Sequence, residues 1–296
     1  MTIHGVLLLD KPLGLSSNVA VQRVRRLFDR AKAGHTGTLD PLASGLLPVC
    51  LGEATKFSHT LLDADKAYEA VIRFGFVSST GDAEGEISRL GDPVFSAEDL
   101  RRVVQAFTGP ISQLPPMHSA LKKDGKPLYE YARAGEEVER KARNVIIKSL
   151  EVYDINNEYA SVRVVCSKGT YIRVLAQDMG KALGFGGYLA GLRRTGVGGM
   201  SVSEAISLEA LEALNPEERR KRMLPLDCLL AGMPAVYLEP DVARRLCNGL
   251  EVKADADPHI GSVRLYGTSG RFLGIGERGL EGRISPRRML ATGVEV

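Results

Sequence analysis

The positions of apolar residues along the chain predict a mixture of strands and helices. A continuous apolar run at residues 6–9 is typical of a buried strand, and strict alternation at residues 68–74 is typical of a half-buried one. Residues 145–150 and 161–167 have similar strand patterns. In the alternating segment, Tyr68 shares a face with three apolar residues, so we expect its ring to point into the protein interior.

Apolar residues at helical spacing predict three amphipathic helices. Ser16 or Ser17 caps the first and Ser96 caps the second, because a hydroxyl ahead of the apolar stripe can accept from free backbone N–H groups. The third helix covers residues 172–183 and ends at Gly184. A shorter helix is predicted to begin at residues 215–218.

The character of the sequence changes near residue 230. Strands and helices are interspersed up to that point, whereas short strand-like runs separated by glycines follow it. We therefore predict an α+β protein with two domains, residues 1–230 and a small β-rich domain at residues 231–296. Within the first domain, residues 112–143 contain two adjacent prolines and many charges, and we predict that they leave the core.

Composition limits the class of protein. The 296 residues are 44% hydrophobic and 25% charged, which is ordinary for a globular chain that buries a core of its own. No apolar run is long enough to span a bilayer and no signal peptide is evident, so no membrane partner is expected. The four cysteines are scattered, which favours reduced thiols and a cytoplasmic location.

Charge alone says little about binding partners, since the net charge is only +3. Two segments nevertheless concentrate cations. One covers residues 23–32, and the other covers residues 122–143, where Tyr129 and Tyr131 lie among lysines and arginines. Each segment fits either a solvated face or a local surface for RNA.

Several common kinds of site are missing from the sequence. The G-x-G-x-x-G match at residues 274–279 is followed by only 17 residues, too few for a nucleotide-binding unit, and we interpret it as a β-turn sequence. There is no G-x-x-x-x-G-K-[ST] segment for ATP. The histidines lie far apart and no cysteine is near them, so no metal site is predicted.

The strongest candidate for chemistry is Asp40, which lies in a glycine-rich loop predicted at residues 34–45. The glycines let the backbone approach a ligand, and Pro41 favours an extended conformation at Asp40. A carboxylate held in this way can act as a nucleophile or a base, although an aspartate before proline also forms ordinary turns.

Arg173 is the second candidate, because it falls in the first turn of its predicted helix. The helix dipole disfavours a cation there, and no acidic residue lies three or four positions ahead. We therefore expect a carboxylate partner that is distant in sequence, with Asp40 as the leading candidate. Tyr68 is either a core tyrosine or a ring that stacks on an unstacked base.

Five segments, in this order, resemble motifs of the TruB family of tRNA pseudouridine synthases. They are residues 5–17 (beginning GVLLLDKP), 34–41 (GHTGTLDP), 66–68 (KAY), 167–173 (SKGTYIR) and 192–194 (LRR). The resemblance implies a mixed, mostly antiparallel sheet with surrounding helices, followed by a PUA-like RNA-binding domain at residues 231–296. It also implies that residues 112–143 form a thumb-like clamp on RNA.

The same resemblance implies roles for individual residues. Asp40 would be the nucleophilic aspartate, Arg173 its partner, and Tyr68 a ring that stacks on the target uracil and assists proton removal. The remaining residues would bind the substrate: Tyr171 and Leu192 line the uridine pocket, Lys11 supports its floor together with Pro12, and His35 fills space left by flipped bases. Where this chain has Ser79, the family usually has an aspartate, so one loop contact is expected to differ.

The implied reaction converts uridine 55 in the T-loop of tRNA to pseudouridine without a cofactor. The base leaves its stack, the N1–C1′ bond breaks, and C5 joins C1′. The aspartate would attack C1′, promote loss of the C2′ proton, or attack C6 of uracil. The expected partner is the tRNA T-arm, bound by a monomer without a protein partner.

Two other classes of function fit parts of the sequence. An RNA chaperone that helps tRNA fold would use the same basic segments, alone or in addition to catalysis. A carbohydrate enzyme would use paired carboxylates, but the candidate loop contains a single acid, whereas glycosidases usually need two.

Overall fold

The computed structural model describes residues 3–119, 121–253 and 259–291, so Ala120 of the predicted excursion and residues 254–258 and 292–296 of the predicted C-terminal domain lie outside the described residues. The α-helices within these ranges are α1 Ser17–Leu27, α2 Ala97–Ala106, α3 Leu128–Arg133, α4 Ile172–Leu183, α5 Leu208–Ala213, α6 Pro216–Lys221 and α7 Pro240–Cys247. Short 3-10 helices lie at Gly52–Lys56, Ser58–Leu62, Val202–Glu204, Leu226–Leu230 and Leu280–Gly282.

The strands of the same ranges belong to two large sheets and two small hairpins. In chain order they are β1 Gly5–Lys11, β2 Ala33–His35, β3 Ala43–Leu51, β4 Lys66–Phe74, β5 Phe76–Ser78, β6 Ile87–Arg89, β7 Gly109–Gln113, β8 Lys122–Lys123, β9 Lys126–Pro127, β10 Arg143–Asn156, β11 Tyr159–Cys166, β12 Gly187–Val197, β13 Met200–Ser201, β14 Ile206–Ser207, β15 Met223–Leu224, β16 Ala235–Leu238, β17 Val252–Lys253, β18 Gly261–Gly267, β19 Phe272–Arg278 and β20 Arg283–Met289.

The larger sheet is mixed. Its main path runs β14–β1–β3–β12–β4–β11–β10–β7, with β2, β13 and β15 paired beside it. The pairs β1–β14 and β3–β12 are parallel, whereas the other neighbours on the path are antiparallel. The predicted mixed, mostly antiparallel sheet with surrounding helices is therefore confirmed.

Two groups of helices cover one face of this sheet. α1 and α5 pack on β1 and β3, and α2 and α4 pack on β4, β10, β11 and β12. Leu192 of β12 lies opposite Ala43 of β3 and Ala70 of β4 in the two ladders, which places both groups on the same side. A gap therefore remains between the groups, over the middle of the sheet.

The predicted helix ends are confirmed. The Ser16 hydroxyl accepts from the Val19 N–H at the start of α1, and Ser96 and Asp99 form a reciprocal capping box at the start of α2. Gly184 ends α4. These local signals determine where the helices that flank the central gap begin and end.

The glycine-rich loop is shorter than the sequence predicted, because β2 includes His35 and β3 begins at Ala43. Gly45, assigned to the loop, lies within β3. It has φ +102°, and a Cβ there would lie 2.2 Å from the Arg194 carbonyl oxygen. Glycine at this position thus allows β3 and β12 to come together as parallel neighbours.

The segment after β7 leaves the larger sheet and returns to it at β10. Residues 112–113 pair within the sheet as part of β7, so the excursion from the core is shorter than residues 112–143. It contains the β8–β9 hairpin and α3. No helix in the described ranges is long and apolar enough to cross a membrane.

A five-stranded sheet, in the order β16–β18–β19–β20–β17, forms the C-terminal part of the described chain. The interpretation of residues 274–279 as a β-turn is wrong, since most of this segment lies in β19. A Cβ on Gly274 would lie 2.4 Å from the Arg288 carbonyl oxygen, so glycine allows close approach of β20.

The C-terminal sheet packs against the two 3-10 helices that follow β3. The rings of Phe57 and Phe272 meet edge to face, with centroids 5.6 Å apart. Lys56 donates to the Met289 carbonyl at 3.3 Å. These two 3-10 helices end at Leu62, which lines a cavity over the middle of the larger sheet.

Candidate active site

A cavity of about 400 Å³ opens in the gap between the two helix groups, a volume typical of small-ligand pockets. Five of the seven residues predicted for the site line it, and they are Asp40, Tyr68, Tyr171, Arg173 and Leu192. Lys11 and His35, which also lie in the described ranges, are not among its lining residues. The structure thus brings together residues from β3, β4, α4 and β12 and their connecting loops.

Hydrogen bonds hold the backbone on both sides of Asp40. The Ser17 hydroxyl accepts from the Leu39 N–H at 2.7 Å and donates to the Leu39 carbonyl at 2.9 Å. The Gly14 N–H donates to the Pro41 carbonyl at 2.8 Å. The Asp40 side chain remains 46% exposed, so a fixed loop presents a carboxylate to the cavity.

Arg173 is buried in the first turn of α4 and bridges two carboxylates. Its Nη2 lies 3.1 Å from Asp40 Oδ2, and its Nη1 lies 3.3 Å from Asp82 Oδ2. Nη2 also donates to the His118 carbonyl at 2.7 Å. Arg173 therefore has the distant partner that its sequence context required, and the two carboxylates offset its unfavourable place at a helix N-terminus.

Asp82 is a further residue of the site, which the sequence patterns did not predict. It is 4% exposed, and its Oδ1 accepts from the Thr80 hydroxyl at 2.5 Å and from the Glu84 N–H at 3.1 Å. These bonds and the ion pair to Arg173 satisfy the carboxylate, so Asp82 anchors Arg173 and is not a second acid facing the cavity. The sequence pointed to this loop only through Ser79, three residues before Asp82, where the family usually has an aspartate.

The departure at Ser79 has a local consequence only. The Ser79 hydroxyl accepts from the Glu86 N–H at 2.9 Å, and the Ser79 N–H donates to the Glu86 carbonyl at 3.1 Å. The loop is thereby closed by a hydroxyl without an acidic side chain at this position.

Tyr68 projects from β4 toward the helix-covered face, as the alternation predicted, and packs against the core beneath α4. Burial raises the pKa of the Tyr68 hydroxyl above its ordinary value. The Arg194 guanidinium next to it opposes this rise in pKa. At neutral pH, Tyr68 is therefore a protonated phenol at the wall of the cavity.

Tyr171 comes directly before α4, and its backbone is held by Gln113. The Tyr171 N–H donates to Gln113 Oε1 at 3.0 Å, and Gln113 Nε2 donates to the Tyr171 carbonyl at 3.2 Å. Gln113 is 1% exposed and joins β7 to the start of α4. The sequence offers no signal for this contact, because the two residues are distant along the chain.

Lys11 and His35 lie beside the Asp40 loop. The Lys11 ammonium donates to the carbonyls of Pro12 and Leu15 at 2.9 and 2.6 Å. Burial lowers the pKa of Lys11 to about 8, although the nearby Asp40 carboxylate opposes this. His35 Nδ1 accepts from the Gly37 N–H at 3.3 Å, and burial lowers the pKa of His35. Both residues thus contact the loops next to the cavity.

Comparison with known proteins identifies the class of enzyme. The TruB family pseudouridylate synthase (N terminal domain) matches residues 25–172. The tRNA pseudouridylate synthase B C-terminal domain matches residues 173–231, and the model described as pseudouridine synthase II TruB, C-terminal, matches residues 234–290. The chain belongs to the TruB family of pseudouridine synthases.

Individual relatives are similar over nearly the whole chain. The tRNA pseudouridine synthase B of Aromatoleum aromaticum strain EbN1 is 53% identical, over 98% of this chain and 94% of the relative. The protein of the same name from Azoarcus sp. strain BH72 is also 53% identical, over 98% and 96%. A chain in the crystal structure of a Cbf5-Nop10-Gar1 complex has a TM-score of 0.75 at 26% identity, over 96% of this chain and 84% of that one.

Proposed function

We propose that this enzyme isomerises uridine to pseudouridine at position 55 in the T-loop of tRNA. The observation that carries the proposal is the Asp40–Arg173 ion pair, 3.1 Å apart, at the wall of a cavity with room for a nucleoside. Relatives that are 53% identical are named for tRNA pseudouridine synthesis. Four of the five predicted motifs lie within the residues that the family models match, and the motif at residues 5–17 precedes them.

The carboxylate of Asp40 is proposed to detach the base. Its backbone is held on both sides and Arg173 orients its oxygens, so little reorganisation is needed when a flipped nucleotide enters. The carboxylate acts on C1′, on the C2′ proton or on C6 of uracil, and each route requires this one acid. No atom is oxidised and no group is donated, so the reaction itself needs no cofactor.

The uracil is proposed to lie against Tyr68, Tyr171 and Leu192. Aromatic and apolar walls offset the cost of unstacking the base, which is a few kcal/mol. Because burial raises the pKa of Tyr68, this residue supplies a stacking ring and a neutral hydroxyl, not a phenolate. In this proposal, Lys11 supports the floor of the site and His35 occupies space left by flipped bases.

The RNA-binding parts are proposed from charge and position. Residues 112–143 would clamp the T-arm as a thumb, and residues 231–296 would form a PUA-like RNA-binding domain beside the catalytic domain of residues 1–230. We further propose a cytoplasmic monomer that acts without a protein partner. The free thiols of Cys50, Cys166, Cys228 and Cys247 support the cytoplasmic location.

Mapping pseudouridine in an unmodified tRNA transcript after incubation with the protein tests the proposed activity. We expect complete conversion at uridine 55 and none elsewhere. A transcript with uridine 55 replaced by cytidine is the matched control and should contain no pseudouridine. An unmodified uridine 55 under conditions in which the protein binds the transcript would refute the activity, and a different modified uridine would refute the site.

Removing three lysines from the thumb should weaken tRNA binding. Lys122, Lys123 and Lys126 lie in the β8–β9 hairpin, with the Lys126 ammonium 4.4 Å from the centroid of the Tyr131 ring. Each lost phosphate contact should reduce the slope of log affinity against log salt by about 0.7–0.9. The modified position should stay the same, because the hairpin does not line the cavity. Filter binding at several salt concentrations measures this effect.

The matched control removes three exposed cations from a region outside the thumb. Each of them is paired with an acid three residues away, and they are Arg89, Arg101 and Arg102. Their replacement by alanine should leave the affinity and the salt slope close to wild type. Equal losses in the two triple variants would show that overall charge, and not the thumb, determines binding.

A further inference from the structure

Arg194 is a buried cation beneath the Asp40 loop. It is 1% exposed, and its guanidinium donates to the carbonyls of Leu46, Gly37 and Thr38 at 2.8, 3.1 and 3.4 Å. Among the described residues, no carboxylate lies within 4.0 Å of its nitrogens. Backbone carbonyls therefore take the place of a counter-ion, an arrangement that is costly unless the donors are well satisfied.

The three carbonyls belong to both arms of the catalytic loop. Gly37 and Thr38 come before Asp40, whereas Leu46 follows it within β3. A planar guanidinium has donors in a fixed fork, so contacts to both arms constrain the loop between them. A lysine at the same position would present one flexible ammonium and could not reach all three carbonyls in the same geometry.

Arg194 also faces Tyr68. The two residues are directly opposite each other in the antiparallel β12–β4 ladder, so their side chains lie on the same face of the sheet. The guanidinium is close enough to the Tyr68 hydroxyl to oppose the rise in its pKa that burial causes. A guanidinium has donors only, so its charge favours the Tyr68 oxygen on its own side and the Tyr68 proton on the other side. Tyr68 also lines the cavity.

We propose that Arg194 is a positioning residue of the pseudouridine synthase site, which holds the Asp40 loop and orients the Tyr68 hydroxyl toward the bound nucleotide. This inference rests on the proposed function and adds a role to it. One side chain thereby sets the relative position of the carboxylate that detaches the base and the phenol beside the base.

Other ionisable groups lie near Arg194, and their pKa values depend on its positive charge. Lys11, His35 and Lys66 are cationic or titratable neighbours, and Arg194 contributes to a lowered pKa in each of them, after burial. The Asp40 carboxylate opposes this effect at Lys11, because a nearby negative charge raises the pKa of an ammonium. Removal of the Arg194 charge should therefore raise the pKa of His35, which NMR can follow through the imidazole resonances.

The strand itself provides a matched control. Arg193 is the preceding residue and points to the opposite face, where its guanidinium binds Asp10 at 2.7 and 3.1 Å. The replacements Arg194→Met and Arg193→Met remove the same charge from adjacent positions of β12. Arg194→Lys keeps the positive charge but lacks the planar guanidinium that donates to three carbonyls at once.

The experiment measures kcat and KM on tRNA for the three variants and the wild type, together with thermal unfolding and the pKa of His35. Arg194→Met should lower kcat about a hundred-fold or more, with KM within about threefold and a raised His35 pKa. Arg194→Lys should keep the wild-type His35 pKa but recover only part of kcat. Arg193→Met should resemble the wild type in kcat and in the pKa of His35.

Each outcome decides a separate point. A folded Arg194→Met or Arg194→Lys variant with kcat within about twofold of wild type overturns the inference and leaves the proposed function standing. If Arg194→Met does not fold, the kcat of the Arg194→Lys variant decides. A wild-type protein that forms no pseudouridine overturns the proposed function, and this result is distinct from any loss confined to Arg194.

Discussion

Replacement of Asp40 by asparagine is expected to reduce pseudouridine formation by about three orders of magnitude or more, while affinity for tRNA stays within a few-fold of wild type. Asparagine has nearly the same size and keeps the loop hydrogen bonds, which involve Ser17 and Gly14 and not the carboxylate. Asp40 is the only acid among the described residues that line the cavity, and its loss removes the group that every chemical route needs. Single-turnover assays with excess enzyme, paired with filter binding, measure both quantities.

The control for this prediction is Asp63→Asn, which removes an exposed carboxylate near the same cleft. Asp63 pairs with Lys168 at the surface, at 2.8 Å, and should be dispensable for turnover. Substantial turnover by a pure Asp40→Asn preparation would contradict the catalytic assignment. Growth competition between cells with either protein separates catalysis from a chaperone role, because a chaperone would retain its benefit without Asp40.

Replacement of Arg173 by methionine is expected to impair both turnover and folding. Asp82 is buried, so removal of its cationic partner leaves an uncompensated charge, which typically costs about 3–5 kcal/mol of stability. Asp40 loses its orienting contact at the same time, so kcat should fall strongly even in the folded fraction. Denaturant unfolding and single-turnover kinetics on the same preparation separate the two losses.

A double variant tests the cause of the destabilisation. Addition of Asp82→Asn to Arg173→Met neutralises the orphaned carboxylate and should restore part of the free energy of unfolding, but not the turnover. Arg163→Met serves as the control, because its contact with Glu69 at 3.5 Å is largely exposed and contributes little. If the double variant is no more stable than Arg173→Met, the buried charge of Asp82 is not the cause.

The acid at position 82 also bears on the carbohydrate-enzyme alternative. That alternative needs two carboxylates on either side of one bond. Asp40 and Asp82 both contact Arg173, but Asp82 is 4% exposed and committed to Thr80 and Glu84. Among the described residues that line the cavity, Asp40 is therefore the single acid, whereas the carbohydrate-enzyme alternative needs two.

Local features of this fold were predictable from sequence because they depend on neighbouring residues. The alternation at residues 68–74 placed Tyr68 on the covered face of its strand, and Ser16, Ser96 and Gly184 marked helix ends. The β-turn prediction for residues 274–279 was wrong because it used only neighbouring residues. Glycines there are required by close packing of β20 on β19, and no local pattern records such a contact.

The sequence by itself determined the mixed fold, the helix caps, the family motifs and the two residues most suited to chemistry. Only the tertiary structure decided which residues meet. β12 lies between β3 and β4, and this strand order brings Arg194 against both Tyr68 and the Asp40 loop. The same packing brings Asp82 to Arg173 and Gln113 to Tyr171. Hydrophobic periodicity and capping preferences act over a few residues, whereas these contacts depend on strand order and register across the whole sheet.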